Sequence, residues 1–244
     1  MDDSANGRLV VARDVTKVYR LGKVEARALR GVTLDVRPGE FLAIVGPSGS
    51  GKTTLLNLIG ALDSATSGEL SILGHDVSQM SRRKRADMRL HSLGFVFQAY
   101  HLVPVLTARE YVEFVLELQG AGDERRGRAM EVLEHLGLAE FADRRPNELS
   151  GGQQQRVAVA RAIASQPKLV LADEPTANLD GDNAKLLLDT MASLNEEQGI
   201  TFIFSTHDPR VVAYARRVVT LVDGRVTNDI LKEPGEHADV PVVN

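Results

Sequence analysis

The sequence predicts an α/β fold: a wound parallel sheet with an antiparallel β layer at its N-terminus and a helical subdomain inserted in it. Three observations carry this expectation. Short apolar runs, "FLAIVG" (41–46), "GFVF" (94–97), "KLVLA" (168–172) and "TFIFS" (201–205), have the near-continuous hydrophobicity of strands buried on both faces. Helix-period segments lie between them, which is the alternation of a wound sheet. From Ala108 to about Gln166, however, only helical patterns occur.

Taken in order, "RLVVARDVTKVY" (8–19) and "ALRGVTLDV" (28–36) alternate in the strand manner, with the turn-like "RLGK" between them and "RPGE" after them. They form the antiparallel layer. The buried run 41–46 leads into a glycine-rich turn and the helical "TTLLNLIGAL" (53–62). In the helical block, "AREYVEFVLELQG" (108–120) puts Tyr111, Val115 and Leu118 on one face, followed by "RGRAMEVLEHLGL" (126–138) and the helix that begins near Ser150. Near the end, "VVTLVDGRVTNDI" (218–230) sets Asp-Gly between two β-rich runs, a hairpin signal. One domain is expected over residues 1–230, with the helical subdomain at about 99–166 and a loose tail at 231–244. There is no internal repeat.

Composition narrows the function. A 43% hydrophobic share is that of a packed protein, and 29 basic against 33 acidic residues give −4, so no global attraction for nucleic acid is expected. The run "RRKR" (82–85) reads as a solvated helix face rather than a nucleic-acid patch. The absence of cysteine excludes disulfides, thiolate metal sites and cysteine catalysis. "MDDSANGR" has no apolar core for a signal peptide, and no run approaches the ~20 apolar residues of a membrane span. If the protein serves a membrane, another chain supplies the spans.

The chemistry gathers at strand ends. "GPSGSGKT" (46–53) follows a buried strand and opens a helix, the context of a P-loop. Its backbone N–H groups, at Gly46, Ser48, Gly49, Ser50, Gly51 and on to Thr54, can curl around phosphates. Lys52 supplies a cation for the β/γ oxygens, and the Thr53 hydroxyl can ligate Mg²⁺. This predicts a P-loop NTPase (RecA-like) core with ATP and Mg²⁺ as its ligands. "LVLADEPT" (169–176) puts two carboxylates after another buried strand: Asp173 for Mg²⁺, and Glu174 as general base or water-orienting group. His207, in "FIFSTHD", and Gln98 end two further strands on the same rim, where the neutral amide of Gln98 can touch both metal and water. Tyr19 can stack on adenine.

"ELSGGQQQRVAVARA" (148–162) poses a different problem. Ser150, Gly151, Gly152 and Gln153 open a helix in the manner of an anion site, yet no lysine accompanies them. The phosphate cradle around Lys52 is already complete, so this turn reads as a lid for a phosphate held elsewhere. Two copies arranged head to tail give each nucleotide one P-loop and one such turn, which implies a homodimer in the ATP state.

Tyr19, "GPSGSGKTT" (46–54), Gln98, "LSGGQ" (149–153), "LVLADEPT", "ANLD" (177–180) and "STHD" (205–208) resemble, in order and spacing, the ATP-binding cassette ATPases over about residues 8–230. The resemblance implies that Tyr19 stacks on adenine, Glu174 is the catalytic base and His207 senses the γ-phosphate. It also implies that Ser150 and Gly152 touch ATP across the dimer and that Asp180 links the two sites. "GFVFQAYHLVPVLTAREYV" (94–112) is similar to the macrolide-export and lipoprotein-release group, whose ATPases work with a separate or fused membrane permease. This implies a protein on the inner face of the cell membrane, held there by its permease. Ala177, where that group commonly has Gly, and "REYVEF" (109–114) depart from its pattern. Soluble cassettes acting on DNA or ribosomes usually carry two cassettes or a long coiled coil, whereas this chain has one P-loop and no sustained heptads. A P-loop kinase leaves the Ser150 turn unexplained, and signalling through a membrane partner in cell division uses the same scaffold.

Overall fold

The computed structural model describes residues 7–22 and 24–232. Two sheets organise them. The antiparallel sheet has the order β2-β1-β4-β5, built from β1 (Val10–Leu21), β2 (Val24–Val36), β4 (Ser67–Ile72) and β5 (His75–Asp76). The second sheet runs β10-β9-β3-β8-β7-β6, with β3 (Phe41–Val45), β6 (Leu93–Phe97), β7 (Leu169–Asp173), β8 (Thr201–Ser205), β9 (Arg217–Val222) and β10 (Arg225–Leu231). All its pairings are parallel except the β9–β10 hairpin, which turns at Asp223 and Gly224 with φ 47° and 73°. That is the backbone an Asp-Gly hairpin demands.

The strands are apolar throughout because both faces are covered. Alternate residues Phe41, Val96, Val170, Ala172, Phe202 and Phe204 pack under the helical side. Leu42, Ile44, Leu169, Leu171, Ile203 and Val219 pack under the antiparallel layer. The three phenylalanines meet with centroids 4.7–5.9 Å apart. Seven helices surround the sheet: α1 (Lys52–Ile59), α2 (Arg82–Ser92), α3 (Ala108–Leu118), α4 (Arg125–His135), α5 (Gly151–Ile163), α6 (Gly181–Gln198) and α7 (Pro209–Tyr214). Helix α3 starts at a full capping box, with Thr107 accepting from Glu110 N and Glu110 accepting from Thr107 N. Its apolar stripe buries Tyr111, Val112 and Leu116 against α4 and α5.

Two elements differ from the sequence reading. "SGELSI" (67–72) becomes β4, although only Leu70 and Ile72 of it are buried. Its pairing with β1, Val10 opposite Ile72, is a long-range contact with no local periodic signal. The strand expected only as half of a hairpin, β9, also pairs with β3 as a fifth parallel strand. At the C-terminal end, Leu231 completes β10 and Lys232 N donates to Arg216 O at 2.9 Å. The rest of the expected tail, 233–244, and the polar N-terminus, 1–6, lie outside the described residues. The basic run 82–85 occupies the first turn of α2, exposed but for Arg85, which donates to Ser64 Oγ at 2.6 Å. Among the described residues no helix is long and apolar enough to cross a membrane.

Candidate functional site

The C-terminal ends of β3, β7, β8 and β6 deliver their loops to one cavity of about 660 Å³. Gly46, Ser48, Gly49, Gly51, Lys52, Thr53 and Thr54 line one side; Gln98, Asp173, Glu174 and His207 line the other. The rim that strand-end reasoning assembled from separate motifs is therefore one continuous wall. Ala28 and Ser205 complete it, and neither has a motif that marks it in the sequence.

The P-loop is shaped by what presses on it from behind. Gly51 has φ 103°, and a Cβ there would lie 2.5 Å from the Ala28 carbonyl oxygen of β2. Only glycine satisfies both the left-handed backbone and that approach. Ser50 is buried and does not line the cavity; its carbonyl accepts from Gly224 N at 2.9 Å, which ties the loop to the β9–β10 turn. Lys52 is 9% exposed and donates to the carbonyls of Gly46 at 2.7 Å and Pro47 at 3.0 Å. Burial lowers its pKa from the ordinary value, and the fields of Glu174 and Asp173 offset part of that. The ammonium is thus a desolvated cation facing two acids and the cavity.

Asp173 ends β7, and its Oδ1 is buried without a hydrogen-bond partner among the described residues. Glu174 leaves the strand with φ 47°, a left-handed conformation rare outside glycine, fixed by its N–H donating to Ser205 O at 2.8 Å. This turn aims the side chain back across the strand end. Its Oε1 lies 2.7 Å from His207 Nδ1, and its Oε2 accepts from Thr206 Oγ1 at 3.2 Å. The Glu174 side chain is only 16% exposed, against 74% for His207. Thr206 was not singled out by the sequence, because a threonine after a strand carries no chemical signature.

Other candidates lie away from this wall. Tyr19 is 38% exposed, donates to Asp63 Oδ2 at 3.1 Å and has Lys17 Nζ 4.9 Å from its ring centroid. Ser150 caps α5 through a reciprocal box: its Oγ accepts from Gln153 N at 3.3 Å, and Gln153 Oε1 accepts from Ser150 N at 2.8 Å. Gly151 is exposed enough to leave its N–H available, and a Cβ there would stand 3.0 Å from the Tyr100 hydroxyl. A Cβ on Gly152 would overlap the Asn183 amide. Asn183 Nδ2 is itself held by Asp180, the N-cap of α6. The turn at 150–153 and the segment at 177–180 thus form one packed unit, tied to the main cavity where Asn178 Nδ2 donates to Gln98 O at 2.9 Å. Gln155, fully buried, reaches from α5 to Pro175 O at 2.8 Å.

Asp208 anchors the loop that carries His207. It accepts from the buried Thr176 hydroxyl at 2.6 Å and from Arg210 N at 2.9 Å, capping α7. Burial pushes its carboxyl up, but the hydrogen bonds from Arg210 and Thr176 outweigh this and hold it below the ordinary 3.8. A carboxylate depressed in the folded state contributes stability above its unfolded pKa and loses it as pH falls through the lower folded value. Asp208→Ala is expected to cost about 2–4 kcal/mol at pH 7, from the lost cap and the orphaned hydroxyl. In urea melts from pH 7 downward, the difference from wild type should shrink only below about pH 4.

Comparison with known proteins places this geometry. The ABC transporter family matches residues 29–177. The macrolide export ATP-binding/permease protein MacB of Syntrophobacter fumaroxidans is 45% identical over 97% of this chain and 33% of its own length. The lipoprotein-releasing system ATP-binding protein LolD 1 of Caulobacter vibrioides is 47% identical over 93% of this chain and 97% of its own. The chain therefore spans about a third of the first relative and nearly all of the second. The dimeric ATP-binding cassette MJ0796, in a post-hydrolysis state bound to ADP and Pi, superposes with a TM-score of 0.85 at 42% identity, covering 92% of this chain and 99% of that one. Its name is that of a protein of Methanocaldococcus jannaschii. Sequence, fold and strand-end cavity agree: the chain belongs to the ABC transporter family, as an ATPase cassette of the macrolide-export and lipoprotein-release group.

Proposed function

We propose that this cassette closes as a head-to-tail homodimer over two MgATP and that closure drives a membrane permease on a separate chain. The observation that carries the reading is the division of the motifs. Lys52, Gln98, Asp173, Glu174 and His207 share one cavity, whereas Ser150, Gly151, Gly152 and Gln153 form a second polar turn that does not line it. Such a turn serves the nucleotide of a second copy.

The roles follow from the contacts. Lys52 exchanges its two carbonyl partners for the β- and γ-phosphate oxygens, which restores the charged form that burial disfavours. Thr53, Gln98 and Asp173 offer only oxygen donors, and the unpartnered Asp173 Oδ1 fits the hard-oxygen preference of Mg²⁺. Magnesium bound there neutralises charge on the phosphate oxygens. Glu174 orients the attacking water and takes its proton; His207, now on Glu174 Oε1, turns to the γ-phosphate. Tyr19 stacks on the adenine, and Asp180 links the two sites through Asn183 and the Ser150 turn. The permease sits on the helical subdomain, where Val103, Val105, Phe114 and Leu118 are more than half exposed. This places the cassette at the cytoplasmic face of the membrane without spanning it. A separate permease accords with the coverage of the lipoprotein-releasing relative, 97% of whose length the chain matches.

Size-exclusion chromatography with light scattering on Glu174→Gln protein tests the reading. ATP should convert monomer to dimer, and Ser150→Arg, which places a bulky cation in the capping turn, should abolish the shift. A Glu174→Gln protein that stays monomeric with ATP even beside its permease would overturn it.

A further inference from the structure

A second cavity, of about 350 Å³, opens between α2, β6 and α5. Leu62, Leu90, Phe95 and Val115 give it apolar walls, and into the same space come two guanidinium groups, Arg89 from α2 and Arg161 from α5. Each makes one hydrogen bond and makes it to a carbonyl: Arg89 to Ala61 O at 2.8 Å, Arg161 to His101 O at 3.0 Å. Neither has a carboxylate partner among the described residues. Burial lowers the pKa of both, helped at Arg89 by the neighbouring Arg85, and no acid opposes it.

This is an unusual way to leave arginine. A guanidinium carries five N–H donors, and a half-buried cation without a counter-ion is poorly compensated. The same chain treats others differently: Arg109 lies between Glu113 and Asp143, and Arg217 between Glu40 and Asp229. Two desolvated forks converging on one apolar cleft match a planar carboxylate, which accepts two parallel N–H bonds. The cleft mouth is apolar as well, with Leu62 48% exposed and Leu118, one turn beyond Val115, 55% exposed.

We propose that this cleft receives an apolar segment of the membrane partner bearing one Asp or Glu, and that Arg89 and Arg161 grip its carboxylate together. The proposal rests on the permease reading above and adds the chemistry by which the partner is selected. The grip also touches the site. Arg161 holds the backbone of His101, and Phe97, whose next residue is Gln98, lines the same cleft. A partner bearing lysine or arginine at that point is rejected by like charge in a desolvated space.

The test uses the complex as it exists, the tagged chain recovered in mild detergent from its own membranes, with the membrane subunit identified by mass spectrometry and its retention measured. Arg89→Glu and Arg161→Glu are each expected to lower retention roughly thirtyfold or more. ATP binding by the isolated variants should match wild type, which confirms that they fold; Arg89→Leu and Arg161→Leu, which keep the apolar packing, should lose retention as well. Changing one acidic residue of the membrane subunit to arginine should then restore retention to the Glu variants. Undiminished retention by the Glu or Leu variants, or rescue by no single reversal, overturns the carboxylate grip and leaves the permease reading standing. A wild-type chain that carries no membrane subunit overturns both.

Discussion

Glu174→Gln protein is expected to bind ATP with wild-type affinity and to hydrolyse it about 10²–10⁴-fold more slowly. Glutamine keeps the shape of the side chain and can still meet Thr206 and His207, both now within 3.2 Å of the carboxylate. It cannot accept the proton of an attacking water. The left-handed backbone at residue 174 is fixed by its N–H bond to Ser205 O, which the substitution leaves alone, so the loss is chemical rather than structural. Phosphate release in single-turnover and steady-state assays, with nucleotide binding measured separately, checks this. Turnover within tenfold of wild type would remove Glu174 as the base and leave the water to another group on the wall.

The second large effect falls on binding. Lys52→Ala is expected to weaken ATP binding by about 2–5 kcal/mol, roughly thirtyfold to several thousandfold, because phosphate charge loses its only lysine on the cavity wall. Fluorescent-nucleotide titration gives the number, and its pH dependence gives the cause. Since burial lowers the Lys52 pKa from 10.5, the ammonium of the free protein is lost earlier on raising pH than that of an exposed lysine. Wild-type affinity should therefore decline on the alkaline side as pH rises through that lowered value, and the alanine variant should show no such decline. An alanine variant that binds ATP like wild type would contradict the P-loop assignment.

Much of this site was legible in the sequence because its parts are local. "GPSGSGKT" between a buried run and a helix specifies a strand, a turn and a helix N-terminus within a few residues. The same holds for Asp173 and Glu174 at the end of β7, and for Asp-Gly in the β9–β10 turn. The wall on which these pieces meet was legible only through a general rule, that parallel strands bring their carboxyl ends together. What stayed hidden was set by contacts distant in the chain. Ser67–Ile72 alternates too weakly to announce β4, and only the partner edge of β1 makes it a strand. Thr206 and Gln155 act through bonds to Glu174 and Pro175, 32 and 20 residues away, and nothing in their own neighbourhoods foretells this. Tyr19 shows the converse: its place beside a possible adenine was readable, but its hydrogen bond to Asp63 was not.

The order of the larger sheet gives the site unequal stiffness. Lys52, Glu174 and His207 follow β3, β7 and β8, each laddered to a strand on both sides. Gln98 follows β6, the edge strand, which is laddered only to β7. To displace a central strand, two sets of backbone hydrogen bonds must yield; at the edge, only one must. The cavity is therefore a rigid vice with a single compliant jaw. Force arriving at the surface beside β6 is absorbed as movement of Gln98 before the phosphate-holding side is disturbed, so the molecule can be pushed by a partner without loosening its grip on the nucleotide.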